Sequence, residues 1–193
     1  MHAVNTLDER LNQILPVLTS EYFRNNKGLG NEVPFYAFDY PPEEELRVRE
    51  HIAFVVEQLR KAKPPIQVAH INLFSVLIDM LEARGFYDKA VALQSSKGDA
   101  AAAKALQGPL KPDKVARYLV ERWPVVDHDV YLVEGVGSAY PLMRTHNLLN
   151  NLQPLLGLTP LVLFFPGEYD GQSLRLFGQL NDKPYYRAFR LVS

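Results

Sequence analysis

Asp129-Val130-Tyr131-Leu132-Val133-Glu134 runs without a break into Gly135-Val136-Gly137-Ser138, and an amphipathic stretch then leads to Leu161-Val162-Leu163-Phe164-Phe165. Both apolar runs lack the polar alternation of a half-exposed strand, so each reads as a strand covered on both faces. A glycine turn followed by a helix between two such strands is a crossover connection, and crossovers join parallel strands. Working outward, Val33-Pro34-Phe35-Tyr36-Ala37-Phe38-Asp39 and Ile66-Gln67-Val68-Ala69-His70-Ile71 read as two more strands of the same sheet. Between them, Glu43-Glu44-Glu45 opens a helix with acids where the macrodipole favours them. Val48, Ile52, Val55, Val56 and Leu59 form its apolar stripe, and Arg60, Lys61 and Lys63 close it before Pro64-Pro65. Phe54 lies off that stripe and hints at a second contact surface.

The flanks extend this core. Leu7, Leu11, Ile14, Leu15 and Leu18 predict a helix from about residue 5 to 18, capped by Asn5 or Thr6, and residues 25–31 are a loop by composition. A helix is expected from Leu73 to Arg84, with Gly85 as its C-cap. Residues 86–123 read as a wholly helical insertion, with the alanine run 100–103 and a helix start at Pro112. A further helix is expected over about 141–152. The end reads as an antiparallel hairpin, 173–177 with 185–192, turning at Asn181-Asp182. The expected architecture is a single α/β domain over 1–193, with residues 1–32 as an N-terminal helix and loop. Its mainly parallel sheet carries helices on both faces, Rossmann-like or P-loop-like but without Walker motifs.

Composition narrows the function. A chain that is 47% hydrophobic and 22% charged buries a core and is not disordered. Its 21 basic and 22 acidic residues leave a net charge of -1, without the basic surplus that phosphate neutralisation needs, so sequence-specific nucleic-acid binding is not expected. With no cysteine there is no disulfide, thiolate metal site or cysteine nucleophile. The N-terminus has no signal-peptide character, and the longest apolar run is far short of the ~20 residues of a spanning helix. A cytoplasmic protein without membrane contact is the expectation.

Ligands of open α/β sheets sit beyond the carboxyl ends of the strands. Three segments lie there: Asp39-Tyr40-Pro41, Gly135-Val136-Gly137-Ser138, and residues 166–172. The glycine turn offers amides to an anion, but Tyr140 stands where a dinucleotide fingerprint has its third glycine, and no P-loop lysine follows. Candidate ligand or anion contacts are therefore Asp39, Gly135, Gly137, Ser138, Asp170 and Arg175, weighed against tight turns and edge salt bridges. Arg175 has Asp39, Glu168 and Asp170 as prospective partners. Asp127-His128-Asp129 has metal-ligand residue types, yet adjacent strand residues face opposite ways, so it reads as a strand-entry loop. His2, His51, His70 and His146 are scattered, and Ser138 lacks a nucleophile elbow. No catalytic residue, metal site or cofactor is expected. On the helix after the turn, Arg144, Asn147, Asn150 and Asn151 project away from Leu142, Leu148, Leu149 and Leu152. One arginine with three amides is a recognition-like face, weighed against a solvated polar face, which usually prefers Glu, Lys or Gln.

These residues also carry a resemblance. Gly28-Leu29-Gly30-Asn31-Glu32-Val33-Pro34-Phe35, Phe38-Asp39-Tyr40-Pro41-Pro42, Asn72-Leu73-Phe74, Ala105-Leu106-Gln107-Gly108, residues 135–146 and Leu148-Leu149-Asn150-Asn151-Leu152 resemble the BrxB family of BREX (bacteriophage exclusion) systems. Residues 159–178 and Tyr185-Tyr186-Arg187-Ala188-Phe189 match best, and the similarity spans nearly the whole chain. The resemblance implies a small non-catalytic component of phage defence, in systems that methylate host DNA and block phage replication. It implies association with PglZ, the alkaline-phosphatase-like member, and with the large ATPase or the methyltransferase. It carries no catalytic residues. The leading expectation is an interaction subunit, and the alternative is a degenerate nucleotide- or anion-binding domain with a regulatory role.

Overall fold

The computed structural model describes residues 5–25, 33–181 and 188–192. The Gly28-Leu29-Gly30-Asn31-Glu32 stretch, Asp182 and residues 185–187 lie outside the described residues.

Five parallel strands make the sheet, in the order β2-β3-β4-β1-β7: β1 Phe35–Tyr40, β2 Val68–Asn72, β3 Val130–Glu134, β4 Leu161–Tyr169 and β7 Ala188–Arg190. All four strands read from the apolar runs are present, and β1, β3 and all but one residue of β4 are buried along their length. Helices cover both faces, as uniformly apolar strands require. On one face, α1 (Leu7–Thr19) and α3 (Glu45–Lys61) pack on Tyr36, Phe38, Val68, Leu132, Val162 and Phe164. On the other, α4 (Leu73–Ala83), α7 (Pro112–Arg122), the single turn α8 (Val136–Ala139) and α9 (Thr145–Leu156) pack on Ala37, Ile71, Val133, Leu163 and Phe165. Alternate residues of one strand thus feed two separate cores.

Local chemistry sets the elements. Thr6 caps α1 in a reciprocal box with Glu9, which holds the Glu9 carboxyl below its ordinary range. The five stripe residues of α3 are its five buried residues. Asn72 ends β2 and caps α4 at once, its Oδ1 accepting from the Ser75 amide at 3.1 Å. The insertion is helical as expected: α5 (Tyr87–Lys97), α6 (Asp99–Leu106) and α7, with Pro112 in its first turn. No helix among the described residues is long and apolar enough to cross a membrane.

Two expectations are corrected. The helix read from about 141 begins at Thr145, so Arg144 is its extended N-cap residue, and the glycine turn before it is itself one helical turn, 136–139. The expected antiparallel hairpin is present, β5 (Leu174–Leu176) with β6 (Leu180–Asn181), but residues 188–190 are not its second arm. β5 pairs antiparallel with the outer end of β4, and β6 folds back on β5 through a turn at 177–179. β7, read as the second antiparallel arm, runs parallel to β1 at the sheet edge. Apolar alternation is identical for either direction, so the residues of a short edge strand do not encode its orientation.

Candidate functional site

Asp39, at the carboxyl end of β1, is 8% exposed. Its Oδ1 accepts from Arg10 Nη2 at 2.7 Å and its Oδ2 from the Tyr169 amide at 3.0 Å, while its carbonyl takes Arg10 Nη1 at 2.8 Å. Arg190 of β7 stands 3.6 Å from Oδ1 and also bonds the Tyr169 carbonyl. One carboxylate thus ties α1, β4 and β7 to β1, and both its oxygens are engaged by the protein itself. Arg10 completes the join by lying over the Phe38 ring, 4.7 Å from its centroid.

The glycine turn is shaped by its own neighbours. Gly135 has φ +73°, and a Cβ there would sit 2.6 Å from Asn72 Oδ1. A Cβ on Gly137 would come within 2.9 Å of the Pro166 ring and 3.1 Å of the Phe177 ring. The close approach that glycine permits is therefore used by Asn72, Pro166 and Phe177. Ser138 is exposed beside them.

The structure assembles a second polar group there that carries no sequence motif. Glu134 is 7% exposed, and its Oε1 lies 3.4 Å from both Asn72 Nδ2 and His70 Nε2. Its Oε2 has no hydrogen-bond partner. On the same face, the buried Tyr40 hydroxyl donates to Glu45 Oε2 at 2.6 Å, and Arg49 Nε holds Glu45 Oε1 at 2.8 Å. Burial first, then the bond to Glu45, pushes the Tyr40 phenol well above its ordinary range. The pattern behind this layer is residue facing: His70 and Asn72 share the face of Val68, and Glu134 that of Leu132.

Asp170 forms an Asx turn, accepting from the Gln172 amide at 2.9 Å and the Ser173 amide at 2.7 Å. Those bonds hold its carboxyl below its ordinary value. Of the three carboxylates in prospect, Arg175 pairs across the ladder with Glu168, 3.4 Å away. A cavity of about 370 Å³ lies among these parts, lined by Arg10, Tyr40, Glu43, Glu168 and Phe177. The Asp127-His128-Asp129 loop spends its groups locally: His128 Nδ1 meets the Pro124 carbonyl at 2.8 Å, and Asp129 Oδ2 accepts from the Gln67 amide at 2.7 Å. Among the described residues, no three His, Cys, Asp or Glu side chains are placed to hold a metal.

The candidate contact residues separate. Arg144 and Asn150 are exposed, whereas Asn147 and Asn151 are half-buried, and Asn151 Nδ2 is spent on the Asn147 carbonyl at 2.8 Å. Arg144 stacks over Tyr140, 5.9 Å from the ring centroid. Phe54 is half-exposed on α3, across the sheet from α9, so it shares no surface with Arg144. Sequence reasoning missed a groove of about 480 Å³ between α4, α5, α6 and the Pro141-Leu142 segment that precedes Arg144. Phe74, Tyr87 and Val91 line it and remain 38–44% exposed, and α5 buries no residue at all. The signal available for it was the apolar set Tyr87, Ala90, Val91 at helical spacing on a helix otherwise polar.

Comparison with known proteins gives a consistent answer. A family model described as BREX protein BrxB matches residues 69–191. A BREX protein BrxB of Bacillus cereus (strain H3081.97) is 42% identical over 190 residues, 96% of this chain and 97% of that protein. A BREX protein BrxB of Escherichia coli O9:H4 (strain HS) is 38% identical over 186 residues, 96% of this chain and 92% of that protein. No solved structure matches. With identity of this level along nearly the full length, the chain belongs to the BrxB family of BREX proteins.

Proposed function

We propose that this protein is a non-catalytic interaction subunit of a BREX phage-defence complex, binding a PglZ-like partner and supporting host DNA methylation and phage exclusion. Membership of the BrxB family supports the role in BREX defence and work alongside other BREX proteins. The observation that carries the interaction reading is the contrast in how polar and apolar groups are spent. At the carboxyl edge of the sheet, where α/β proteins place their chemistry, Asp39 is engaged on every side by the chain's own Arg10, Tyr169 and Arg190. Large apolar side chains meanwhile stand open on both helical layers, Leu46 and Phe54 on α3 and Phe74, Tyr87 and Val91 on α4 and α5.

The test is pull-down of the tagged protein from cells carrying the full operon, with host methylation read in parallel. A stable complex containing the PglZ-like protein is expected, and Arg144→Glu, at the exposed start of α9, is expected to weaken it with the fold intact. Recovery of the protein alone from such cells overturns the reading. The second reading, an anion-binding domain, has one observation in its favour, the cavity beside Arg10. Its carboxylate lining opposes a phosphate, and a thermal shift with nucleotides separates the two, since a ligand of the folded state raises its stability.

A further inference from the structure

Phe177 occupies a position that its turn does not favour. The Gln179 amide donates to the Leu176 carbonyl at 3.2 Å, closing a turn whose two central residues, Phe177 and Gly178, have φ +56° and +68°. Positive φ at both central positions favours Asn-Gly, and the Cβ of a bulky residue is crowded there. Among the described residues, Phe177 is the only one other than glycine with a positive φ. The turn gains nothing from an aromatic ring, so the ring is kept for what it meets. Part of it packs on the glycine turn, where a Cβ on Gly137 would lie 3.1 Å away. The rest is open, 39% exposed, on the wall of the cavity of about 370 Å³ beyond the carboxyl ends of β1 and β4.

The charges around that cavity are unevenly used. Arg10 points both Nη atoms at Asp39, and its Nε is closed off from solvent, so its charge is already met. Glu43 is exposed and has no hydrogen bond or ion pair among the described residues. Glu168 turns Oε2 to Arg175 at 3.4 Å in an exposed, screened pair, whereas its Oε1 lies at the hairpin tip, 3.9 Å from the Cβ that Gly178 would carry. The lining thus adds two carboxylates and an open ring to the Arg10–Asp39 pair, in a volume at the small end of the range for binding pockets. A ring beside carboxylates suits a guanidinium, whose plane stacks on the one while its N–H fork bonds the other. An ammonium is a compact, strongly hydrated point charge without that plane.

We propose that this cavity receives an arginine side chain of a partner protein, its guanidinium laid against Phe177 and bonded to Glu168 and Glu43. The proposal rests on the reading of the chain as an interaction subunit and names one contact of that interface.

Association in the complex purified from cells carrying the full operon tests it. Phe177→Asn supplies the residue that the turn favours, so its thermal melt is expected to be unchanged or higher, while association weakens at least about tenfold, the equivalent of 1.4 kcal/mol. Phe177→Tyr, which keeps a ring, is expected to bind like the parent. The Glu43→Gln/Glu168→Gln double variant is expected to weaken association about tenfold at low salt, with the loss shrinking as salt rises. A photo-crosslinking phenylalanine analogue at position 177 is expected to join an arginine-bearing segment of another protein. Parent-like association in Phe177→Asn, or a crosslink to a segment without arginine, overturns the cavity and leaves the interaction reading standing. A lowered melt in Phe177→Asn makes the ring a structural clasp on Gly137 and likewise overturns it. Stabilisation of the isolated protein by millimolar free arginine, with association unaffected by any of these substitutions, reassigns the cavity to a small cation. Absence of any complex removes both readings.

Discussion

The carboxyl edge of the sheet and the α5–α6 hairpin are built in opposite ways. At the edge, a charged group is held from three directions: Asp39 joins elements whose residues lie 29 and 130 positions away in the chain. On the hairpin, neighbouring residues contact chiefly one another, and aromatic and aliphatic side chains are left in solvent. The first arrangement spends its polar chemistry on holding the fold. The second leaves large apolar side chains about two-fifths exposed, and covering what remains of each in the proposed complex contributes on the order of 1 kcal/mol. On the proposed reading, stability and association are carried by different residues, and each can be altered without the other.

The largest expected effect lies at the edge. Asp39→Ala strands Arg10 in a mostly buried position and is expected to cost about 3–5 kcal/mol, read as a lower urea midpoint. A loss below 1 kcal/mol would show that Arg190 and Arg10 are solvated without it and that the edge is not a structural join. Gly135→Ala comes next, at about 2 kcal/mol, from a side chain forced into the left-handed region against Asn72. The companion Asn72→Ala/Gly135→Ala double variant sharpens the point: it removes the clash, so the two losses must be less than additive. On the hairpin, Tyr87→Ser is expected to move stability by no more than about 0.5 kcal/mol while reducing partner retention. A large fall in melting temperature would mean that the Tyr87 ring is part of the core. Smallest is the pH effect at the Asx turn. The Asp170 carboxyl is held down by the Ser173 and Gln172 amides, so its stabilising contribution is complete above its ordinary value of 3.8 and is lost as the pH falls through the lower folded value. The two amide resonances are expected to titrate with a midpoint under 3.8, and a midpoint at or above it would remove the bonds from the account.

Much of the fold was legible because it is written in local periodicity. The stripe of α3, the four buried strands and the Pro112 start all follow from residues within one or two turns of each other. What escaped was set by distant partners. Nothing around residues 185–192 distinguishes an arm of a hairpin from a parallel edge strand, because the answer lies in whether β1 or β5 is the neighbour. Asp39 looked like a ligand contact because an acid at a strand end is unsatisfied when read alone. Its partner Arg10 sits on a different element, beside the apolar stripe of α1, where it reads as an ordinary surface charge. The geometry of the Arg144 face differs from its helical projection for a related reason. A projection that begins the helix at 141 makes Arg144 a helical residue, and it hides the use of the Asn151 amide on the carbonyl one turn earlier. The groove escaped because it is a property of three helices and a connecting segment together.

The strand order has a consequence for biosynthesis. β1 is made first, yet it ends between β4 and β7, whose pairing residues begin at 161 and 188. A nascent chain emerging from the ribosome therefore carries this interior strand with one flank unpaired until residue 161 and the other until residue 188 has been made. β2 and β3 can pair once residue 134 is made, whereas a product ending before residue 161 would leave β1 with neither neighbour and would be a substrate for quality control, not a smaller working version.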